Sequence, residues 1–313
     1  MLIDPGHHLG DAWFHVAAVE GGELAHCFYL RCPEGVDRHT AWEVAHATSW
    51  DLRAWELHGT VLAARRDGRC LATGSVLGLP TGGHLAAWTI GWNDVRPEVA
   101  IAPVADLGRW DPARAEVVAA PGVGVTGARD PILGARPITH WRDPQLVLDG
   151  DGAPMALVCA GPRVAVLQPT ATGWAHTGHL DVAPVASELE CPQLHEVDGR
   201  WFLLFSTWSP LLAPDVRAAA PAGTYGGTWA MAGPGPQGPF RLADPSPLVG
   251  PEAGPAPYAC QLVRFGGRHH LLGTRWRKTA DPGSEPDAVS DPIEVVRQGD
   301  GLVAAPSVAA PHA

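Results

Sequence analysis

Three carboxylates carry the strongest chemical signal in this 313-residue chain: Asp11, Asp143 and Glu190. Each opens a similar stretch, in which a small or acidic residue leads into a short apolar run, a Gly-containing turn and a second apolar run. Two further copies begin at Gly74-Ser75 and Ala259-Cys260, so Ser75 and Cys260 hold the corresponding place in their units. If the recurrence reflects a symmetric fold, residues far apart in the chain converge on one axis. Carboxyl groups that face one another raise each other's pKa and cost stability, which makes them candidates for catalysis ahead of packing. A carboxylic acid that protonates a leaving oxygen, beside a carboxylate that attacks an anomeric carbon or activates water, is the apparatus of glycoside hydrolysis.

The elements that must hold these groups are hairpins. Asp143-Pro144-Gln145-Leu146-Val147-Leu148 turns through Asp149-Gly150-Asp151-Gly152 into Met155-Ala156-Leu157-Val158-Cys159. Glu190 to Val197 turns through Asp198-Gly199 into Trp201 to Phe205, and Cys260 to Phe265 turns through Gly266-Gly267 into His269 to Leu272. Asp-Gly and Gly-Gly between apolar runs are strong hairpin signals. Five units of about 60 residues, each with room for two strands beyond its hairpin, describe an all-β, five-bladed β-propeller. Its blades are expected to be four-stranded antiparallel sheets around a central active-site depression. A β-sandwich with coincidental likeness among hairpins is the competing architecture. Hardly any segment keeps a helical apolar period, so helices are expected to be few. Residues 1–313 read as one propeller domain whose Ala/Pro-rich tail, 303–313, frays.

Composition narrows the partners. With 22 Lys and Arg against 33 Asp and Glu, the formal charge is −11, and the basic clusters that bind phosphate backbones are missing, so no nucleic acid is expected. Glycine (37) and proline (31) are abundant, yet 46% hydrophobic residues and 13 tryptophans describe a turn-rich globular protein and not a disordered one. No apolar run is long enough to span a membrane, and the residues from Met1 to His8 show no signal-peptide pattern, so a cytoplasmic protein is expected. Six cysteines without a C-x-x-C pair then read as reduced thiols. Lys278, the single lysine, lies outside any Gly-rich loop. The stretch from Gly122 to Gly127 matches G-x-G-x-x-G, but Ala128-Arg129-Asp130-Pro131 follows where a helix should, so no dinucleotide is expected. His7-His8 and His269-His270 are neighbours whose side chains point to opposite faces of a strand, so no metal is expected either. The carboxylate chemistry requires no cofactor.

Trp13, Trp50, Trp88, Trp141, Trp208 and Trp229 are candidates for stacking on a sugar ring, set against burial in the blade packing. Ser75, from its place in the repeat, is expected to face the channel and bond substrate. The segment Ala45-His46-Ala47-Thr48-Ser49-Trp50-Asp51-Leu52-Arg53-Ala54-Trp55-Glu56 resembles the "HATSxDLxxWE" stretch of the five-bladed propeller glycosidases of families 32, 68 and 43. Thr73-Gly74-Ser75 is similar to their "SGS" strand, Trp141-Arg142-Asp143-Pro144 to their "RDP" motif and Glu190-Cys191-Pro192 to their "ECP" motif. These stand in family order, and with the stretch from Tyr258 to Arg275 the resemblance spans nearly the whole chain. "RDP" followed by "ECP" points to the fructan- and sucrose-acting enzymes, family 32 above all.

The resemblance implies a retaining, β-fructofuranosidase-like hydrolase acting on a small furanoside through a covalent glycosyl-enzyme. Asp11 is then the nucleophile, Asp143 the transition-state stabiliser and Glu190 the general acid/base. Arg142 would help Asp143 hold sugar hydroxyls, His46 would reach the sugar, and Trp13 is the stacking candidate nearest the nucleophile. Those enzymes usually read "NDPNG" where this chain has Leu9-Gly10-Asp11-Ala12-Trp13-Phe14. Asp4-Pro5-Gly6 keeps "DPxG" and competes, but the hairpin leading from Asp11 has the more fitting length. Asp130 stands in a second "RDP" with no strand-turn-strand after it and reads as a loop residue. Family 32 enzymes normally append a β-sandwich, and nothing comparable follows the fifth unit. Two other readings stay open: an inverting family 43-like arabinofuranosidase or xylosidase with Asp11 as base, and a non-catalytic sugar-binding propeller.

Overall fold

The computed structural model describes residues 1–65, 67–92, 94–121, 139–224, 226–249, 257–275 and 287–305. The glycine run at 122–127, Asp130 and Lys278 lie outside the described residues. Five antiparallel sheets follow one another along the chain, within 7–62, 71–119, 142–179, 190–242 and 258–304, and form blades 1 to 5. The first four are four-stranded, and the fifth adds the short strand Ala288–Val289 to its four. The inner strands are His7–Val19, Leu71–Gly78, Arg142–Leu148, Glu190–Val197 and Tyr258–Phe265. Each packs against the inner strands of the neighbouring blades, and the first meets the fifth, so the ring closes as the five-bladed propeller expected from the repeat.

Local chemistry explains the hairpins. Asp198 and Gly199 both take positive φ, 49° and 73°, and so do Gly266 and Gly267 at 59° and 75°, the two-residue geometry that follows the twist of the joined strands. Among the described residues the α-helices are Arg38–Ala41 and Pro214–Ala219, and no helix is long and apolar enough to cross a membrane. The tail is ordered further than expected: Val303 and Ala304 pair with Val296 and Val295 in the outermost strand of blade 5, and residues from 306 onward lie outside the described ones. At the other end, Leu2 exchanges two backbone hydrogen bonds with Val289, and Thr274 donates to the Gly10 carbonyl at 2.7 Å. The N-terminal segment thus fastens the last blade to the first.

Every inner strand is irregular near its start, with register shifts at Leu9/Ala12, Ala72/Gly74, Arg142/Gln145, Glu190/Gln193 and Tyr258/Gln261. A bulge of this kind sets extra residues against the partner strand and re-aims their side chains. Just past it, Ser75, Gln145 and Gln193 accept hydrogen bonds from the backbone N–H groups of Leu146 (2.8 Å), Leu194 (2.7 Å) and Leu262 (2.7 Å) in the next blade. One place per unit is therefore a joint between blades. This corrects the expectation for Ser75, whose buried hydroxyl belongs to that joint and not to a substrate surface.

The core lies in the seams between blades. Trp13, Phe28, Trp88 and Trp110 fill the seam of blades 1 and 2, while Phe205, Trp229 and Phe240 pack among blades 3 and 4. Trp13, Trp88, Trp141 and Trp229 are at most 1% exposed, which leaves no ring face for a sugar. The expectation for Trp13 is corrected accordingly. Strand alternation past the bulge turns its indole into the seam, where a Cβ at Gly74 would meet it at 3.2 Å.

His46 also departs from expectation. It is buried on Glu43–Ser49, the third strand of blade 1 and so away from the axis, with its ring stacked 4.8 Å from Phe28 and its Nε2 3.0 Å from His26 Nδ1. It belongs to a row of imidazoles, His15, His26, His46 and His58, that crosses all four strands of blade 1, with His84 of blade 2 set 5.0 Å from His15. Burial, then the neighbouring imidazoles, hold His15 down at about 4 and His46 at about 3 against an ordinary 6.5.

The His15 and His46 rings are neutral in the fold near neutral pH, whereas an unfolded chain takes up their protons once pH falls below about 6.5. The folded values are the lower ones, so the stabilisation is complete above that pH and is lost progressively down to about 3. The melting temperature is expected to fall between pH values of about 7 and 5, and His46→Phe to flatten the decline. Calorimetry across that range checks this; an unchanged slope in the variant would remove the histidine row as the cause.

Candidate active site

Register places the acids more finely than the repeat did. Arg142, Glu190 and Tyr258 occupy one place, opposite Cys159, Ser206 and Thr274. Asp143, Cys191 and Ala259 occupy the next, with φ of 58°, 47° and 50°. Asp11 stands one place further on in its own bulge. The three carboxylates thus come from three successive places of one recurring bulge. Non-glycine residues at such φ cost on the order of 1 kcal/mol or more each and persist where surroundings over-determine them, commonly at functional sites.

Two of the acids, Asp11 and Asp143, meet directly, and Arg142 links the third, Glu190, to Asp143. A carboxylate oxygen from Asp11, one from Asp143 and the Cys191 sulfur all lie within 4.8 Å of one another. The Thr73 hydroxyl donates to Asp11 Oδ2. Asp143 donates its backbone N–H to Thr89 Oγ1 at 2.9 Å, and its Oδ2 accepts from the Cys191 N–H at 3.1 Å. Arg142 is buried, with Nη2 3.0 Å from Glu190 Oε1 and also bonded to Glu188 Oε1, and with Nε 3.7 Å from Asp143 Oδ2. His140 Nδ1 shares that Glu188 oxygen. The Tyr258 hydroxyl donates to Glu190 Oε2, and the Trp92 ring lies 5.9 Å from the Arg142 guanidinium carbon.

Electrostatics separates the acids. Burial, and then the charge of Asp143, push Asp11 up to about 6, against the pull of Thr73 and Arg142. Burial and then Glu188 push Glu190 up to about 8, with Asp143 adding to the effect and Arg142 and Tyr258 opposing it. Burial also raises Asp143. Glu188 goes the other way, because its bonds to Arg142 and His140 outweigh its burial. Near neutral pH the site therefore holds Asp11 ionised and Glu190 protonated, and unequal acids of this kind divide naturally into base and acid.

Asp11, Asp143, Glu190 and Arg142 are the sequence-derived residues that the fold gathers. Trp13, His46 and Ser75 lie in seams or joints instead. Asp4 is buried against Arg31, whose Nη1 is 2.7 Å from Asp4 Oδ2, and it accepts from the Tyr29 hydroxyl at 2.8 Å. It is thereby committed to a structural ion pair. Trp50 is 59% exposed on the surface, whereas Trp208 stacks on Tyr258. Sequence reasoning missed Glu188, His140 and the hydroxyls of Thr73 and Tyr258. Glu188 was the most accessible of these, since residues two apart in an extended segment share a face and Glu188-Leu189-Glu190 has that spacing.

A five-bladed propeller that presents a cluster of unequal acids at the start of its inner strands defines the class of this protein. The family model described as "Glycosyl hydrolases family 32 N-terminal domain" matches residues 21–225, more than half of the chain, and the chain belongs to that family. Among solved structures, Bacillus subtilis levansucrase aligns at a TM-score of 0.71 with 11% identity, covering 97% of this chain and 87% of that one. Inulosucrase from Halalkalicoccus jeotgali, bound to kestose, gives 0.66 and 19%, covering 96% and 87%. Fructofuranosidase from Schwanniomyces occidentalis, as its E230A variant with fructosylnystose, gives 0.64 and 15%, covering 94% of this chain and 58% of that one. The chain therefore spans little more than half the length of that fructofuranosidase. At these identities the likeness is one of fold. No curated protein matches the chain.

Proposed function

We propose that the protein is a retaining glycoside hydrolase that transfers the fructosyl unit of a small β-fructofuranoside to water through a covalent fructosyl-enzyme. The observation that carries this reading is the gathering of acids at the start of the inner strands: carboxylate oxygens of Asp11 and Asp143 lie within 4.8 Å of one another, and Glu190 is held beside them by Arg142 and Tyr258. Ionised Asp11 attacks the anomeric carbon while protonated Glu190 delivers its proton to the departing oxygen. Arg142, 3.0 Å from Glu190, then stabilises the carboxylate that this transfer leaves behind. Asp143, fixed by the Cys191 N–H, bonds sugar hydroxyls and offsets the positive charge that develops on the ring. Water enters next, with Glu190 now acting as base, and Asp11 departs. The fructosyl choice is supported by family membership and by the inulosucrase and fructofuranosidase neighbours, which hold kestose and fructosylnystose.

A panel of sucrose, kestose and chromogenic fructoside, arabinofuranoside and xyloside tests the substrate class. Release of fructose supports the reading, and turnover of the pentosides alone would overturn it. The pH profile tests the mechanism. kcat/KM is expected to fall as pH drops through about 6, where Asp11 takes up a proton, and again as pH rises through about 8, where Glu190 loses one. The limbs belong to the coupled cluster. A profile flat across this interval would separate the two acids from the reaction.

A further inference from the structure

Trp208 ends the second strand of blade 4, Arg200–Trp208, and its ring stacks on Tyr258 of blade 5, with centroids 4.3 Å apart and planes 16° from parallel. Opposite Trp208 in register stands Gly226, where a Cβ would meet the indole at 2.8 Å. The glycine leaves the space in which the indole lies flat between the neighbouring strand and the phenol. Tyr258 is itself buried against Cys191 and Ala259, so the indole completes a cage around its ring. The one polar group of that ring donates to Glu190 Oε2. A phenol free to swing would lose this bond, because a hydroxyl bond weakens steeply with distance and angle.

Resting on the reading of Glu190 as general acid, we propose that Trp208 is a positioning residue for it: the indole fixes the plane of Tyr258, and Tyr258 holds the Glu190 carboxyl in the orientation that delivers the proton. Glu190 is faced by Arg142 and Asp143 from blade 3, by Glu188 and Cys191 from its own segment and by Tyr258 from blade 5. Among these, Tyr258 is the one whose ring stacks on Trp208. Loss of a donor to a carboxylate raises its pKa, so disturbing the stack moves the basic limb of the pH profile upward.

The test compares Trp208→Leu, which fills the space without a ring plane, with Trp208→Phe, which restores one. The leucine variant is expected to lower kcat on sucrose by about tenfold with KM little changed, and to shift the basic limb to higher pH. The phenylalanine variant is expected to stay near wild type. Gly226→Ala, which crowds the indole from behind, is expected to shift the limb in the same direction as the leucine variant. In a Tyr258→Phe background the leucine substitution is expected to add nothing. An equal loss in both backgrounds, or an unmoved limb, overturns the proposal.

A second readout needs no turnover: the carboxyl 13C resonance that disappears in Glu190→Gln, followed against pH. An upward shift of its titration in Trp208→Leu supports the positioning role even if no fructoside is hydrolysed, an outcome that would instead overturn the reaction assigned above. Turnover of fructosides with an unshifted titration overturns the positioning role alone.

Discussion

Glu190→Gln is expected to lower turnover of a fructoside with a poor leaving group, such as sucrose, by about 10²–10⁴-fold. An aryl fructoside should still fructosylate the enzyme. The amide fills the same space but has no proton to give, and this matters most when the departing oxygen is a poor leaving group. An activated aryl group leaves without that help. The second half of the reaction then stalls, because water has lost its base. Mass spectrometry is expected to find one fructosyl unit retained on the protein, and added azide to restore turnover as a fructosyl azide. The fold should survive, since buried Arg142 keeps its ion pairs with Glu188 and Asp143 when it loses the one with Glu190. Near-wild-type hydrolysis of sucrose by this variant would remove Glu190 from the acid role.

Asp11→Asn carries the larger effect. It removes the attacking group, so good and poor leaving groups should suffer alike, by on the order of 10⁴-fold or more. Peptide mapping of the retained fructosyl unit in Glu190→Gln is expected to place it on Asp11. The same substitution has a predictable sign for stability. Asp11 is raised from 3.8 to about 6 in the fold, so above that value its ionised form, pressed against Asp143, opposes folding. A neutral isostere that still accepts from Thr73 should therefore hold or raise the melting temperature at a pH of about 7 while activity vanishes. Asp4→Asn is expected to do the reverse, lowering stability through its lost pair with Arg31 while sparing turnover per folded molecule. Assays and calorimetry on the two variants decide between the carboxylates. An active Asp11→Asn beside an inactive Asp4→Asn would exchange their roles.

Much of this architecture was legible because its determinants are local. The Asp198-Gly199 and Gly266-Gly267 turns need only residues that tolerate positive φ between apolar runs, so hairpins, blade number and the order of the acids follow from the chain itself. Which way each side chain points does not, because a shift of one residue along a strand moves it to the opposite face. Equivalent letters in the repeat stand one or two places apart in the bulges, and Ser75 and Trp13, expected at the sugar, lie in a joint and a seam. His46 lay three strands deep for a related reason, since its family-like stretch says nothing about distance from the axis. The partners that tune the acids come from across the ring: Thr73 reaches Asp11 over 62 residues, and Tyr258 reaches Glu190 over 68. No spacing rule in the sequence connects such positions. They become neighbours only when the blades close, and burial at that closure is what raises Asp11 and Glu190 to different extents.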